Sequence, residues 1–236
     1  MQHGAVKIAV SSCLLGREVR YDGSHKKDAF ITGALAECAD FVPVCPEVEI
    51  GMGVPRPPIR LVGDPGRPRV LGVDDPSMDL TARLETFAAV RVGALDDISG
   101  CILKKGSPSC GMEGVKVYRA SGEGSPTLDG RGIFARILLE SRPLLPVEDE
   151  ERLQSPDLRA GFVDRVLVYR QWQALQSSGL TAASLMALHG SLEGLITAHS
   201  RAAYRRLGCL LSGQPGGDPE RIVAHYMAEL MAALKR

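Results

Sequence analysis

Three of the six cysteines stand just after short apolar runs. Lys7–Ser11 precedes Cys13, Phe41–Val44 precedes Cys45, and Ile98–Leu103 leads into the loop that carries Cys110. In an open α/β sheet, ligands bind in the crevice beyond the carboxyl ends of the strands. If the three runs are parallel neighbours, thiols 32 and 65 residues apart in sequence meet at one rim. Those separations match none of the short-range zinc spacings, so such a site is assembled only by the fold. Soft thiolates select zinc or an iron–sulfur cluster. A structural zinc asks for a fourth ligand, and His25 is the only histidine near these loops. A [4Fe–4S] cluster held by three cysteines leaves one iron free as a Lewis acid. On residue types alone, a metal centre stands level with three independent buried or strand-end cysteines.

Polar side chains crowd the same loops. Glu47 lies two residues past Cys45, and Ser107 three before Cys110. A carboxylate near a metal can act as general base or proton relay, and a hydroxyl can position water. The competing reading is local: Glu47 caps a turn and Ser107 makes a Ser-Pro turn. Ser12 and Asp22 flank Cys13 and are candidate substrate contacts, although Asp22 also suits a capping role. Arg56, Arg60, Lys104 and Lys105 lie in loops where cations either neutralise an anion or are simply solvated. The remaining cysteines read as core: Cys38 on a helix face, Cys101 within a strand, and Cys209 among leucines.

These loops need a scaffold, and the apolar patterning supplies one. From residue 7 to about 140, strand-like and helix-like segments alternate, which predicts a Rossmann-like α/β domain over residues 1–147 with a parallel sheet. Helices are expected over 25–38, 79–94 and 132–140. Residues 51–73 form a Pro-, Gly- and Arg-rich loop with a hairpin, and Pro143–Val147 suits a last strand. The acidic run Glu148–Glu151 and Ser155-Pro156 resemble a linker. Residues 160–236 then read as all-helical, with helices over 162–175, 182–199 and 201–211 and one starting at Pro219. Thr181 and Ser200 act as caps, and Gly213–Gly217 as a stop.

Formal charge balances, with 28 basic and 28 acidic side chains, so the whole molecule offers no general attraction to polyanions or membranes. Residues 151–236 nevertheless carry 10 basic and 7 acidic side chains, a surplus that permits an RNA contact. No apolar stretch approaches the roughly 20 residues of a membrane span. The N-terminus has no signal-like region, so a cytoplasmic protein is expected, with cysteines serving as ligands, catalysts or core rather than as disulfides.

Ser12–Gly16, Arg20–Gly23, Cys45-Pro46-Glu47, the Gly51–Arg60 loop and Lys104–Gly111 together resemble the DUF523 family of thiouracil desulfurases. The helical region is similar to the start of a DUF1722 domain, through Asp164–Trp172, Ala198–Ser200 and Tyr204–Gly208, and is shorter than a full one. That pairing resembles bacterial desulfidases acting on 4-thiouridine in tRNA. The resemblance implies that Cys13, Cys45 and Cys110 ligate a [4Fe–4S] cluster whose fourth iron takes the thiocarbonyl sulfur. It implies proton transfer by Glu47 and water or substrate positioning by Ser107. The implied reaction is hydrolytic, giving uridine or uracil and sulfide from thiolated uracil, thiouridine or tRNA reached through the helical domain. Position 19, a cysteine in many relatives, is Val here, so the implied ligand set does without it. A nucleic-acid-binding or regulatory module with a structural metal at the three cysteines is the alternative. A thiol redox protein is disfavoured, because no C-x-x-C pair exists.

Overall fold

The computed structural model describes residues 6–121, 124–212 and 219–235. The chain divides into two compact units, Met1–Leu153 and Gln154–Arg236. Strands of the first unit are β1 (Val6–Ser11), β2 (Ala39–Val44), β3 (Ile59–Val62), β4 (Arg69–Gly72), β5 (Gly100–Leu103), β6 (Val115–Tyr118), β7 (Thr127–Gly130) and β8 (Val147–Asp149). Its helices are α1 (Ala29–Thr32), α2 (Pro46–Glu49), α3 (Thr81–Gly93) and α4 (Ile133–Ser141).

An all-parallel sheet, ordered β2-β1-β5-β8, is the frame of the unit. Strand β1 lies in the middle, with Ile8 between Phe41 and Gly100 and Val10 between Pro43 and Ile102. Both sheet faces are covered, so Ile8, Ala9, Val10, Cys101, Ile102 and Leu103 are all buried, as expected for parallel strands. A second sheet, β4-β3-β6-β7, mixes parallel and antiparallel pairs. Its inner residues Leu61, Val70, Val115 and Val117 pack with Leu80, Leu84 and Ile133 around α3 and α4. The α/β class expected from sequence is therefore correct, with a small mixed sheet added.

Two expectations in this unit change. The helix expected over 25–38 is two short turns, α1 and a 3-10 turn at Ala34–Glu37, broken at Gly33 (φ −106°, ψ −105°). A Cβ at Gly33 would lie 2.7 Å from the Ala29 carbonyl oxygen, so this break needs glycine. Ile31 and Leu35 still reach the core, but Cys38 is exposed and is not a core residue. The acidic run taken for a linker contains β8, which pairs with β5. Glu148 and Asp149 are buried at 4% and 1% exposure, and Arg152 bonds both: its Nε to Glu148 (2.6 Å) and its backbone N–H to Asp149 (2.8 Å).

The second unit is helical: α5 (Pro156–Ser178), α6 (Ala182–Ser191), α7 (Glu193–His199), α8 (Arg201–Ser212) and α9 (Pro219–Ala233). Thr181 caps α6 through a reciprocal box with Ser184, both contacts at 3.0 Å. The single helix expected over 182–199 breaks at Leu192 into α6 and α7. Phe162, Trp172, Leu188, Ile196, Leu207, Tyr226 and Leu230 form the interior. His189 is embedded there, stacked on Tyr204 (4.3 Å between centroids) with Nδ1 3.1 Å from the Tyr226 hydroxyl. Cys209 is exposed, contrary to the core role expected of it. The Gly213–Gly217 stop and the N-terminal five residues lie outside the described residues. No helix among the described residues is long and apolar enough to cross a membrane.

Candidate active site

The middle strand and its two neighbours deliver the three cysteines to one end of the parallel sheet. β1 ends at Ser11, and Ser12 opens the 3-10 turn that holds Cys13 and closes at Gly16 in the left-handed region (φ 86°). β2 ends at Val44, so Cys45 becomes the N-cap of α2, and Pro46 occupies the first helical turn. β5 runs out at Leu103 into the loop that returns Cys110 to the same end. That loop is bound to the start of α4: Gly132 N–H donates to Gly111 (2.8 Å), and Phe134 N–H to Ser109 (2.9 Å). Gly132 is required here, because a Cβ would lie 2.5–2.8 Å from the Ser109 and Cys110 backbone.

Cys13, Cys45 and Cys110 line one cavity of about 340 Å³. This falls at the lower end of small-molecule sites, which span about 300–1,000 Å³. Ser12, Glu47 and Ser107 line it too, together with Arg20, Tyr21, Lys104 and Lys105. Asp22 is not among the lining residues. Its carboxylate accepts from the Ser24 N–H (3.1 Å) and hydroxyl (2.6 Å), and these bonds hold its pKa down at about 2. Among the lining residues Glu47 is the sole carboxylate, and no histidine is present. His25 is also outside the lining.

Burial raises the pKa of all three thiols. Burial pushes Cys13 up to about 11, reinforced by Cys45 and opposed by Lys104 and Arg20. Burial likewise raises Cys45, against the Val48 N–H that donates to its sulfur. Burial also raises Cys110 well above the ordinary thiol value, against a hydrogen bond from Ser11. Each neighbouring donor or cation favours the thiolate, so the same groups would stabilise sulfur ligands of a metal centre.

Glu47 does not cap α2; Glu49 takes the Cys45 N–H instead (2.8 Å). Both Glu47 oxygens are engaged. Arg56 Nε donates to Oε2 (2.9 Å), and the Ser109 hydroxyl donates to Oε1 (2.9 Å). Arg56 is itself buried, with Nη1 bonded to the Gly53 carbonyl (3.0 Å) and its N–H to Tyr21 (2.9 Å). The Ser107 hydroxyl accepts from the N–H groups of Ser109 (3.2 Å) and Cys110 (3.1 Å). Lys104 pairs with Glu150, and Lys105 with Glu151 (2.8 Å).

Sequence reasoning missed Ser11 and Ser109, and the role of Arg56 as the partner of Glu47. Arg56 was visible only as one cation in a Pro-rich loop, and its burial depends on contacts from Glu47 and Tyr21. Ser11 and Ser109 are adjacent or near-adjacent to expected residues, but small hydroxyls at strand ends carry no distinguishing pattern.

Residues 8–150 match the sequence profile of the 2-thiouracil desulfurase family, and this span holds every cavity residue. The chain belongs to the 2-thiouracil desulfurase family. It is similar to the uncharacterized protein YbbK of Bacillus subtilis, 34% identical over 140 residues that make up 57% of this chain and 90% of that protein. Among solved structures it is similar to the [4Fe-4S]-dependent thiouracil desulfidase TudS, with 34% identity and a TM-score of 0.50. That likeness covers 63% of this chain and 93% of the TudS chain. The profile's residues 8–150 fall within the first unit, so the desulfurase family accounts for its α/β fold and crevice. The matched residues end before the helical unit.

Proposed function

We propose that this desulfurase is a [4Fe–4S]-dependent thiouracil desulfidase, with the cluster held by Cys13, Cys45 and Cys110 and with Glu47 and Ser107 handling proton and water. The reading rests on one observation above others. Three thiols from adjacent parallel strands share a cavity with a single carboxylate, in a member of this family. The donor set fits a cluster with an open position, because the lining offers three thiols and no fourth cysteine or histidine. It fits a structural zinc less well. Zinc wants four ligands within about 2.3 Å of one point, and no group of three His, Cys, Asp or Glu among the described residues is disposed to hold a single ion.

When bound, the cluster supplies a thiophilic iron that makes sulfide a better leaving group. The chain's residues do the rest. Glu47 accepts a proton from the attacking water, since each carboxylate oxygen keeps a second lone pair beyond its existing bond. Ser107 directs its hydroxyl proton at the water or the pyrimidine oxygen. Arg20, Lys104 and the buried N–H groups offset negative charge gathered on the sulfurs. The reaction balances without an oxidant: a C–S bond breaks, a C–O bond forms with the oxygen of water, and hydrogen sulfide leaves. Ser12 and Asp22 are proposed as lesser substrate contacts, Asp22 from the edge of the site.

The substrate proposed is 4-thiouracil as free base, as 4-thiouridine, or in tRNA. Residues 160–236 are assigned to a DUF1722-like helical domain, and α8 supports an RNA contact. Arg201, Arg205 and Arg206 are exposed on that helix, which carries no acidic residue. A cytoplasmic setting suits both the tRNA and an oxygen-sensitive cofactor. The test is to purify the protein without oxygen and incubate it with 4-thiouracil, 4-thiouridine, 2-thiouracil and thiolated tRNA. About four iron and four acid-labile sulfide per chain are expected, with release of hydrogen sulfide from the 4-thio compounds. A fully loaded protein that frees no sulfide from any of them overturns the reading. Turnover on tRNA that falls with salt while turnover on free base does not would support the RNA contact; equal salt response overturns it.

A further inference from the structure

Glu47 presents a problem that the three cysteines create. An open iron position is useful only while it stays open, and a carboxylate is a competent iron ligand. Glu47 is the sole lining residue, apart from the three thiols, with a carboxylate or imidazole to offer. It is near enough for its charge to act on both Cys45 and Cys110. Left free to rotate, it would compete with the substrate's sulfur for the same position.

The structure shows what restrains it. Arg56 holds Oε2 and Ser109 holds Oε1, each at 2.9 Å, from opposite ends of the carboxylate. Both restraints are rigid. The Arg56 side chain is 3% exposed and is fixed by the Gly53 carbonyl, while Ser109 is fully buried under the start of α4. Charge-assisted bonds of this kind are shorter and about twice as strong as neutral ones. Arg56 lines the cavity beside Glu47, whereas Ser109 does not line it and reaches Glu47 from behind.

We propose that Arg56 and Ser109 are positioning residues that pin Glu47 to the cavity wall, so that it accepts protons without becoming the fourth ligand. This rests on the cluster reading above and deepens it. The clamp explains why an arginine is buried in a Pro-rich loop that otherwise belongs to the surface, and why a fully buried serine follows Pro108.

Hydrosulfide serves as a probe of the open position, because it needs neither turnover nor a proton acceptor. Cluster-loaded protein is titrated with hydrosulfide and followed by visible absorbance and by EPR of the reduced cluster. In Arg56→Met, iron and acid-labile sulfide are expected to match the parent protein, while the apparent Kd for hydrosulfide rises about tenfold or more. Ser109→Ala, which removes one arm only, is expected to raise it by a smaller factor. The deciding variant is the double change Arg56→Met with Glu47→Ala. Removing the competing carboxylate is expected to restore hydrosulfide binding to within about twofold of the parent, although turnover stays lost. A purely structural role for Arg56 predicts no such rescue, and its absence overturns the proposal. Unchanged hydrosulfide affinity in both single variants overturns it too. If Arg56→Met holds no iron, Ser109→Ala alone and with Glu47→Ala decides by the same comparison. A parent protein that binds hydrosulfide normally yet desulfurises no thiouracil would sink the functional reading and leave the clamp standing.

Discussion

The crevice at the end of the parallel sheet and the His189 centre of the helical unit are built from similar materials. Each buries titratable groups beside aromatic or polar partners, and each shifts them away from their ordinary behaviour. They differ in what the buried groups face. His189 is buried by packing: Tyr204 stacks on its ring, and the Tyr226 hydroxyl meets Nδ1. Cys13, Cys45 and Cys110 line a cavity instead. A perturbed group is a candidate for chemistry when it also has somewhere to act. Burial alone marks architecture.

The largest expected effect would break the crevice side of that comparison. Cys110→Ala removes one of three sulfurs at its most buried position. Iron content and the absorbance near 400 nm are expected to disappear, and sulfide release to fall by about a thousandfold or more, the scale lost with a key catalytic group. The secondary structure should persist, since the loop keeps its bonds to α4 through backbone groups. Full iron content in this variant, measured with acid-labile sulfide, would remove Cys110 from the ligand set.

The crevice was legible in sequence because its logic is local at each strand: an apolar run ends, and a cysteine follows. Alternation of strands and helices points to parallel pairing, while the order that sets β1 between β2 and β5 comes from the structure. What stayed hidden depends on contacts distant in sequence. Strand β8 looked like a linker because Glu148 and Asp149 are acidic, and their burial is met by bonds such as those to Arg152, which sequence does not display. Arg56 belongs to the same class, as its burial is set by Glu47 nine residues away and Tyr21 thirty-five away. Cys38 and Cys209 failed in the opposite direction. Their apolar neighbours suggested interior, but a helix break at Gly33 and the outer side of α8 leave both exposed.

A middle-sized effect tests the architectural side. Burial lowers the His189 pKa below 6.5, with Glu193 opposing the shift. Its folded pKa lies below its unfolded one, so the unfolded state binds the proton more readily. The stability it contributes is present above about pH 6.5, the ordinary histidine value, and is lost as pH falls below that. His189→Leu should flatten this dependence in thermal unfolding between pH 7 and 5. It should also cost about 2–3 kcal/mol at pH 7, because the Tyr226 hydroxyl loses its partner in the interior. Iron content of the loaded protein should not change. A parallel loss of iron would mean that the helical unit supports the crevice, and the contrast between the two regions would fail.

The smallest expected effect refines that contrast. Thr181 holds the start of α6, the helix that carries His189, through reciprocal bonds with Ser184. Thr181→Ala removes the hydroxyl that accepts the Ser184 N–H, an exposed interaction worth about 1 kcal/mol. The midpoint of thermal unfolding for a helical unit of this size should drop by about 4–8 °C. The pH dependence assigned to His189 should survive unchanged, since the ring and its two tyrosines are untouched. If the cap variant instead abolished that dependence, the histidine's shift would belong to the helix end rather than to the packed interior, and the line drawn between closed burial and burial facing a cavity would have to move.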